Sequence, residues 1–160
     1  MAAARQCSDV SLLINDAGVM RMSPFIAAPS IEAARHEMMT NYFGTLDMCR
    51  AFSPVHRDNG GGALVNMLSV VSWFTHPING SYCASKAAER ALTDGLRMEL
   101  AAQNPLVVGV YASFIDTDMV AIAGVASNKH EVFADARSVE IKAMLARDTD
   151  AFYVGLARTS

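Results

Sequence analysis

Apolar positions along this chain follow two periods. Three short stretches are nearly unbroken: Val10 to Asn15, Ala63 to Leu68 and Leu106 to Tyr111. Runs of that length, each bounded by a turn signal, predict buried strands. The first leaves into a loop at Asp16-Ala17-Gly18, the second follows the turn Gly60-Gly61-Gly62, and the third follows Asn104-Pro105. Between them the apolar residues recur at helical spacing. One helix is predicted from about Ile31 with Ser30 as its N-cap; it carries Met38, Met39, Tyr42, Phe43, Leu46, Cys49 and Phe52, and Pro54 closes it. A second spans about Ser81 to Gln103, where Ala84, Ala87, Ala88, Ala91, Leu92, Gly95 and Leu96 form a face small enough to pack closely on a sheet or another helix. Glu131 to Phe133 fits a brief fourth strand and Ser138 to Ala146 a last helix.

Unbroken apolar strands alternating with long helices predict an α/β fold, with a parallel sheet covered by helices on both faces. The 160 residues suit a single domain over 1–160, and no internal repeat divides them. Hydrophobic residues make up 52% and charged ones 18%, which is enough to build a core. No run approaches the ~18 apolar residues of a membrane span, and the first residues lack the apolar stretch of a signal peptide. A cytoplasmic protein is expected. The net charge is −3 without a basic stripe, which argues against nucleic acid and anionic membrane as partners. Cys7, Cys49 and Cys83 lack metal-ligand spacing, and a small buried thiol is the simplest role for Cys83. His36, His56, His76 and His130 are scattered, so no metal is expected and all four are placed on surfaces or loops.

The chemistry concentrates near Tyr82 and Lys86. A spacing of four on a helix sets the phenol and the ammonium on one face, one turn apart. A neighbouring cation favours phenolate, so the tyrosine pKa is expected to move down toward neutrality, where a phenol can exchange a proton with a carbonyl or alcohol oxygen. Taken alone, the pair also fits a helix-start aromatic beside a solvated charge. Ser69 ends the second strand thirteen positions earlier.

Four further motifs stand in order with this pair: Asn15-Asp16-Ala17-Gly18 after the first strand, Asn41 within Thr40-Asn41-Tyr42-Phe43-Gly44, Ser69 closing Leu64 to Ser69, and Phe114-Ile115-Asp116-Thr117-Asp118 after the third strand. Over about residues 9–119 they resemble the short-chain dehydrogenase/reductase family. The resemblance implies a partial Rossmann-type three-layer sandwich and NAD(P)-dependent interconversion of an alcohol and a carbonyl compound. Tyr82 would be the general acid or base. Lys86 would lower its pKa and hold the nicotinamide ribose. Ser69 would donate a hydrogen bond to the substrate oxygen, and Asn41 would bend its helix and hold a proton-relaying water. Asn15, Ala17, Gly18, Ile115 and Thr117, with Tyr82 and Lys86, would meet NAD or NADP, a choice the sequence does not reveal. The residues themselves leave other roles open: Ser69 as a strand-end hydroxyl bonded to backbone, Thr117 as a helix cap, Asn41 as a surface residue. Trp73, Phe74 and Ile78 either line an apolar pocket or pack on the core.

The family's Gly-rich turn, where backbone amides receive a pyrophosphate, has no counterpart upstream of Asp9. The first three strands and the adenine-binding half are therefore expected to be absent, and dinucleotide binding weakened. Ala112-Ser113 stands where the family has Pro-Gly, and the part at 120–160 is short for substrate-covering helices. Without its usual neighbour, the strand at Val10 to Asn15 would expose an apolar edge that pairs with another copy or destabilises the chain. The family's subunit interface uses helices matching 31–53 and 81–103, so a homo-oligomer is expected. The alternative to an enzyme is a non-catalytic dimerising remnant, or a fragment of a longer reductase that no longer binds the dinucleotide.

Overall fold

The computed structural model describes residues 2–113 and 125–153. Four strands form one sheet in the order β1-β2-β3-β4, every pairing parallel: β1 (Leu12–Asn15), β2 (Gly62–Ser69), β3 (Pro105–Ala112) and β4 (Glu131–Phe133). The interior strands explain their apolar runs. β2 buries its six central residues in succession and β3 five, as strands covered on both faces must. β1 instead alternates exposed Leu12 and Ile14 with buried Leu13 and Asn15, and it is the edge of the sheet among the described residues. The architecture is a partial Rossmann-type α/β sandwich: the strand and helix periods predict its parallel α/β character, and the family resemblance its Rossmann type.

One face of the sheet packs Leu13, Leu64 and Val107 against Cys49 and Phe52 of helix α3 (Thr45–Asp58) and Leu96 of helix α4 (Gly80–Glu99). Ala4, from a short N-terminal helix α1 (Ala2–Gln6), joins that cluster. The other face packs Val65, Met67, Val108 and Val110 against Val125, Val132 and Ala134. Helix α5 (Ala136–Arg147), capped by Asp135 on the Ser138 amide, closes the C-terminal end through Ile141 on Val70 and Phe74.

The helix predicted from Ile31 is helix α2 (Glu32–Glu37), a π-wound stretch at Met38–Gly44, and α3. The N-cap is Ile31 rather than Ser30, since the Ile31 carbonyl accepts the Arg35 amide; the Ser30 hydroxyl accepts the Glu32 amide at 3.3 Å from one position further out. Pro54 does not close the helix; it lies inside α3, which runs on to Asp58. Its ring sits on the exposed side, so water can satisfy the carbonyl whose helical donor it lacks. The extension carries His56 onto the buried stripe Thr45-Cys49-Phe52-His56. His56 is therefore not a surface residue but fully buried. Its ring lies so close under Gly62 that a Cβ there would approach it to 3.0 Å, and the Ser11 carbonyl to 2.7 Å.

Helix α4 also departs from expectation. Ala87 and Ala91 of the small-residue face are exposed, and Ala84, Leu92 and Gly95 only half-buried. The buried face is largely polar: Ser81, Ser85, Lys86, Glu89 and Thr93, with Leu96 taking over at the far end. Alanine spacing does not reveal which side turns inward when the inner side is built of mutually bonded polar groups. A turn at Ala101–Gln103 and Asn104, at φ 63°, end the helix before β3.

Candidate active site

The C-terminal ends of β1, β2 and β3 deliver the site. Ser69 closes β2 opposite Ala112 of β3. It is fixed by a reciprocal turn in which its hydroxyl accepts the Val71 amide while Ser72 accepts the Ser69 amide. The chain then reaches α4, whose first turn carries Tyr82 and whose second carries Lys86. The Ser69 side chain stands close enough to the Tyr82 phenol to pull its pKa down. Tyr82, Lys86, Gly18 and Asp16 line one cavity of about 220 Å³.

Lys86 is buried, and its ammonium donates to the Met67 carbonyl at 2.8 Å and to Glu89 Oε2 at 2.7 Å. Glu89 Oε1 accepts from Thr45 Oγ1 at 3.0 Å. Burial pushes the Glu89 carboxyl above its usual range, and Lys86 pulls it back in part. The Tyr82 phenol is not lowered as expected but raised, first by burial, with the Ser69 side chain opposing and the Glu89 charge adding. Lys86 spends its charge on Glu89.

Asn41 lies at the centre of the π-wound stretch and is fully buried. Its Oδ1 accepts the Val19 amide at 2.8 Å, and its Nδ2 donates to the Val19 carbonyl at 3.0 Å and to Ser85 Oγ at 2.9 Å. This ties the loop after β1 to α4. A Cβ on Gly18 would stand 3.5 Å from Asn41 Oδ1 and 3.6 Å from Lys86 Nζ, so glycine leaves that approach open. Glu37 braces the same loop, accepting the Arg21 amide at 2.7 Å and the Ser81 hydroxyl at 2.5 Å.

Asn41, Ser69, Tyr82, Lys86 and Gly18 therefore converge. Asn15 turns inward, donating to Asn66 Oδ1 at 2.8 Å and Cys49 Sγ at 3.4 Å, and so ties β1 to β2. Ala17 lines a neighbouring cavity of about 310 Å³ with Ile14, Thr40 and Met48. Ile115 and Thr117 lie outside the described residues. A third cavity of about 830 Å³ adjoins the first at Met20 and is lined by Val70, Phe74, Ile78, Ile141 and Met144, among others. Phe74 and Ile78 thus serve a pocket, whereas Trp73 stacks on Tyr111 at 4.2 Å between ring centroids. Glu37 and Glu89 were not singled out in the sequence. For Glu89 a signal existed, because Tyr82, Lys86, Glu89 and Thr93 recur at helical spacing.

These residues fit the nicotinamide and ribose end of a dinucleotide: an open glycine, a buried ammonium and a phenol share one wall. A pyrophosphate cradle finds no counterpart among the described residues. The Gly60-Gly61 turn, with φ of 78° and 131°, precedes β2 at the opposite end of the sheet from Ser69. No helix among the described residues is long and apolar enough to cross a membrane.

Known proteins share this fold. The short chain dehydrogenase family profile matches residues 1–128. The chain is 31% identical over 112 residues to a dehydrogenase/reductase SDR family protein 7-like of Drosophila melanogaster, covering 70% of this chain and 34% of that protein. It is likewise 31% identical over 112 residues to a 3alpha-hydroxysteroid dehydrogenase of Mediterraneibacter gnavus, covering 70% of this chain and 44% of the other. The chain thus spans less than half the length of these curated relatives. A solved short chain dehydrogenase from Burkholderia cenocepacia, in complex with NADP, superposes with a TM-score of 0.90 at 40% identity, covering 97% of this chain and 72% of that one. With its parallel sheet and the convergence of Ser69, Tyr82, Lys86 and Asn41, this chain belongs to the short-chain dehydrogenase family.

Proposed function

We propose that this chain carries the catalytic and substrate-facing part of an NAD(P)-dependent oxidoreductase that interconverts an alcohol and a carbonyl compound. The observation that carries this is that Tyr82 and Lys86 line one cavity at the C-terminal end of β2, with the Ser69 side chain close enough to the Tyr82 phenol to lower its pKa. In reduction, the Tyr82 hydroxyl gives its proton to the carbonyl oxygen; in oxidation the phenolate takes it back. The Ser69 hydroxyl donates a hydrogen bond to the same oxygen and steadies its growing negative charge. NAD or NADP, which Tyr82, Lys86 and the loop at Gly18 would hold, would supply the hydride chemistry at the substrate carbon. Asn41 and Gly18 keep the loop after β1 in place and clear, and Lys86 presents its ammonium to the ribose side. The large adjoining cavity has Met20, Val70, Phe74, Ile78 and Met144 in its wall, which suits a bulky, largely apolar ketone or secondary alcohol.

The helices over 31–53 and 81–103 support a homo-oligomer. Met39 and Phe43 on the first, and Ala87, Ala91 and Met98 on the second, are exposed.

Titration with NADH and with NADPH, followed by turnover on ketones of increasing bulk, tests the function. Saturable binding of either cofactor and turnover that is lost in Tyr82→Phe are expected. Failure of both cofactors to bind would overturn the enzyme and favour the dimerising remnant.

A further inference from the structure

Glu89 is a carboxylate with almost no access to water, 1% exposed, inside a helix that could have placed an apolar residue there. Burying an anion is costly unless every oxygen is engaged. Both oxygens are: Oε2 takes the Lys86 ammonium and Oε1 the Thr45 hydroxyl, which reaches in from α3. The other Lys86 contact, to the Met67 carbonyl on β2, also draws the ammonium toward the sheet. The charge assigned to act on the phenol is thus gripped from behind.

We propose that Glu89 is a positioning residue that holds the Lys86 ammonium on the inner side of α4 and sets how much of its charge the Tyr82 hydroxyl feels. The proposal rests on Tyr82 being the proton-exchanging group of the proposed reaction. The groups facing Tyr82 are few and identifiable. Cys83, Lys86 and Glu89 come from α4 itself, Glu37 from α2, Ser69 from β2, and Asp16 from the loop after β1 on the same cavity. Around Glu89 itself stand Lys86, Thr45 and the Cys49 thiol of α3. No cation other than Lys86 stands among them, so the Lys86–Glu89 pair governs the local field. An anion near a phenol disfavours phenolate, and an unopposed cation favours it. The raised position of the Tyr82 phenol in this structure agrees in sign.

The test reads the phenol directly and needs no turnover. Tyrosinate absorbance is titrated against pH in the intact chain and in Glu89→Gln, each referenced to its own Tyr82→Phe variant. Glutamine keeps the size of the side chain and removes its charge. The Tyr82 titration should move to lower pH by about one unit, while Glu89→Asp, which keeps the charge, should stay near the parent. An unmoved titration in Glu89→Gln, or a shift in Glu89→Asp as large as in Glu89→Gln, would overturn the proposal. Glu89→Met guards against a misfolded glutamine variant. It has similar length and no polar atom to leave unpaired, and Lys86 can then turn into the 220 Å³ cavity. The same downward shift is expected. A chain that binds no cofactor but shows these shifts sinks the proposed reaction and leaves this pairing intact; turnover with an unmoved Tyr82 does the reverse.

Discussion

Asn41 holds both backbone groups of Val19, accepting its N–H at 2.8 Å and donating to its carbonyl at 3.0 Å. The residue comes from the π-wound stretch, and the loop it grips forms the rim of the cavity shared by Tyr82 and Lys86. π-Wound turns recur at functional sites, and here the wide turn carries an amide that bridges the loop to Ser85 on α4. Replacing Asn41 by Ala leaves the Val19 groups without these partners. Losing such buried hydrogen bonds should cost about 1–3 kcal/mol and quicken amide exchange at Gly18–Met20. A variant as stable as the parent, with protected loop amides, would show that the clasp contributes nothing.

Tyr82→Phe should remove the transferable proton while leaving the ring in place. In a cofactor-binding form of the protein, turnover should fall by roughly 100-fold or more, and the cofactor dissociation constant should change little. The measurement is steady-state kinetics beside a fluorescence titration with NADPH. Turnover near the parent rate would place the acid elsewhere.

Much of the fold could be read from period alone, because β2 and β3 bury runs of five or six consecutive residues and no other strand among the described residues does so. The convergence of Ser69, Tyr82 and Lys86 followed from motif order. Glu89 did not, since a Lys–Glu pair three apart on a helix is ordinarily a solvated surface pair. What buries it are Thr45 and Met67, delivered by other elements and distant in sequence. The raised Tyr82 pKa is hidden for the same reason: the sequence displays the cation but not the burial of its counter-ion. The burial of His56 is not legible because Pro54 reads as a helix stop, although a proline on the exposed side of a helix leaves the next turn free to continue.

His56 makes stability depend on pH. It is fully buried, neither ring nitrogen has a hydrogen-bond partner, and burial lowers its pKa from the usual 6.5. The unfolded chain therefore takes up a proton before the folded one as pH falls. The contribution is full above about 6.5 and is lost as pH falls from there to the folded-state value. Urea unfolding across that window should show a declining midpoint in the parent that is flatter in His56→Leu. Parallel declines in the two proteins would assign the slope to other groups.

Gly62 is constrained by the same histidine. A Cβ at this position would come within 2.7 Å of the Ser11 carbonyl and 3.0 Å of the His56 ring. The carbonyl is backbone and already accepts the Ala63 amide that sets the β1–β2 register, so it cannot withdraw freely. Gly62→Ala should destabilise by about 1–3 kcal/mol, the usual cost of overpacking. The reading is the urea midpoint, and an unchanged midpoint would mean that β1 moves aside at no cost.

Thiol reactivity should separate the three cysteines. Cys7 is exposed, whereas Cys49 and Cys83 are buried. Burial raises the Cys49 thiol to about 11 and lifts that of Cys83 as well. Thiolate is the reactive form, so an aromatic disulfide reagent should modify Cys7 quickly and the other two only after denaturation. Fast modification of all three in the native protein would mean that α3 or α4 opens readily.

Two surfaces are open to the proposed self-association, and their sizes decide between them. Among the described residues the open edge of β1 is only four residues long, with Leu12 and Ile14 at 38% and 40% exposure. A stable dimer buries about 800 Å² per partner, which so short an edge cannot supply. Helix α4, at twenty residues, is about 30 Å long and presents Ala87, Ala91 and Met98 outward. The small residues allow a second helix to approach closely. Specific association should therefore run through α4, and Ala91→Glu should yield monomers in sedimentation velocity with unchanged circular dichroism. The β1 edge should instead govern slow aggregation, which Ile14→Lys should suppress without altering the oligomer. If Ile14→Lys dissociates the oligomer and Ala91→Glu does not, the strand edge is the interface and the helical one is excluded.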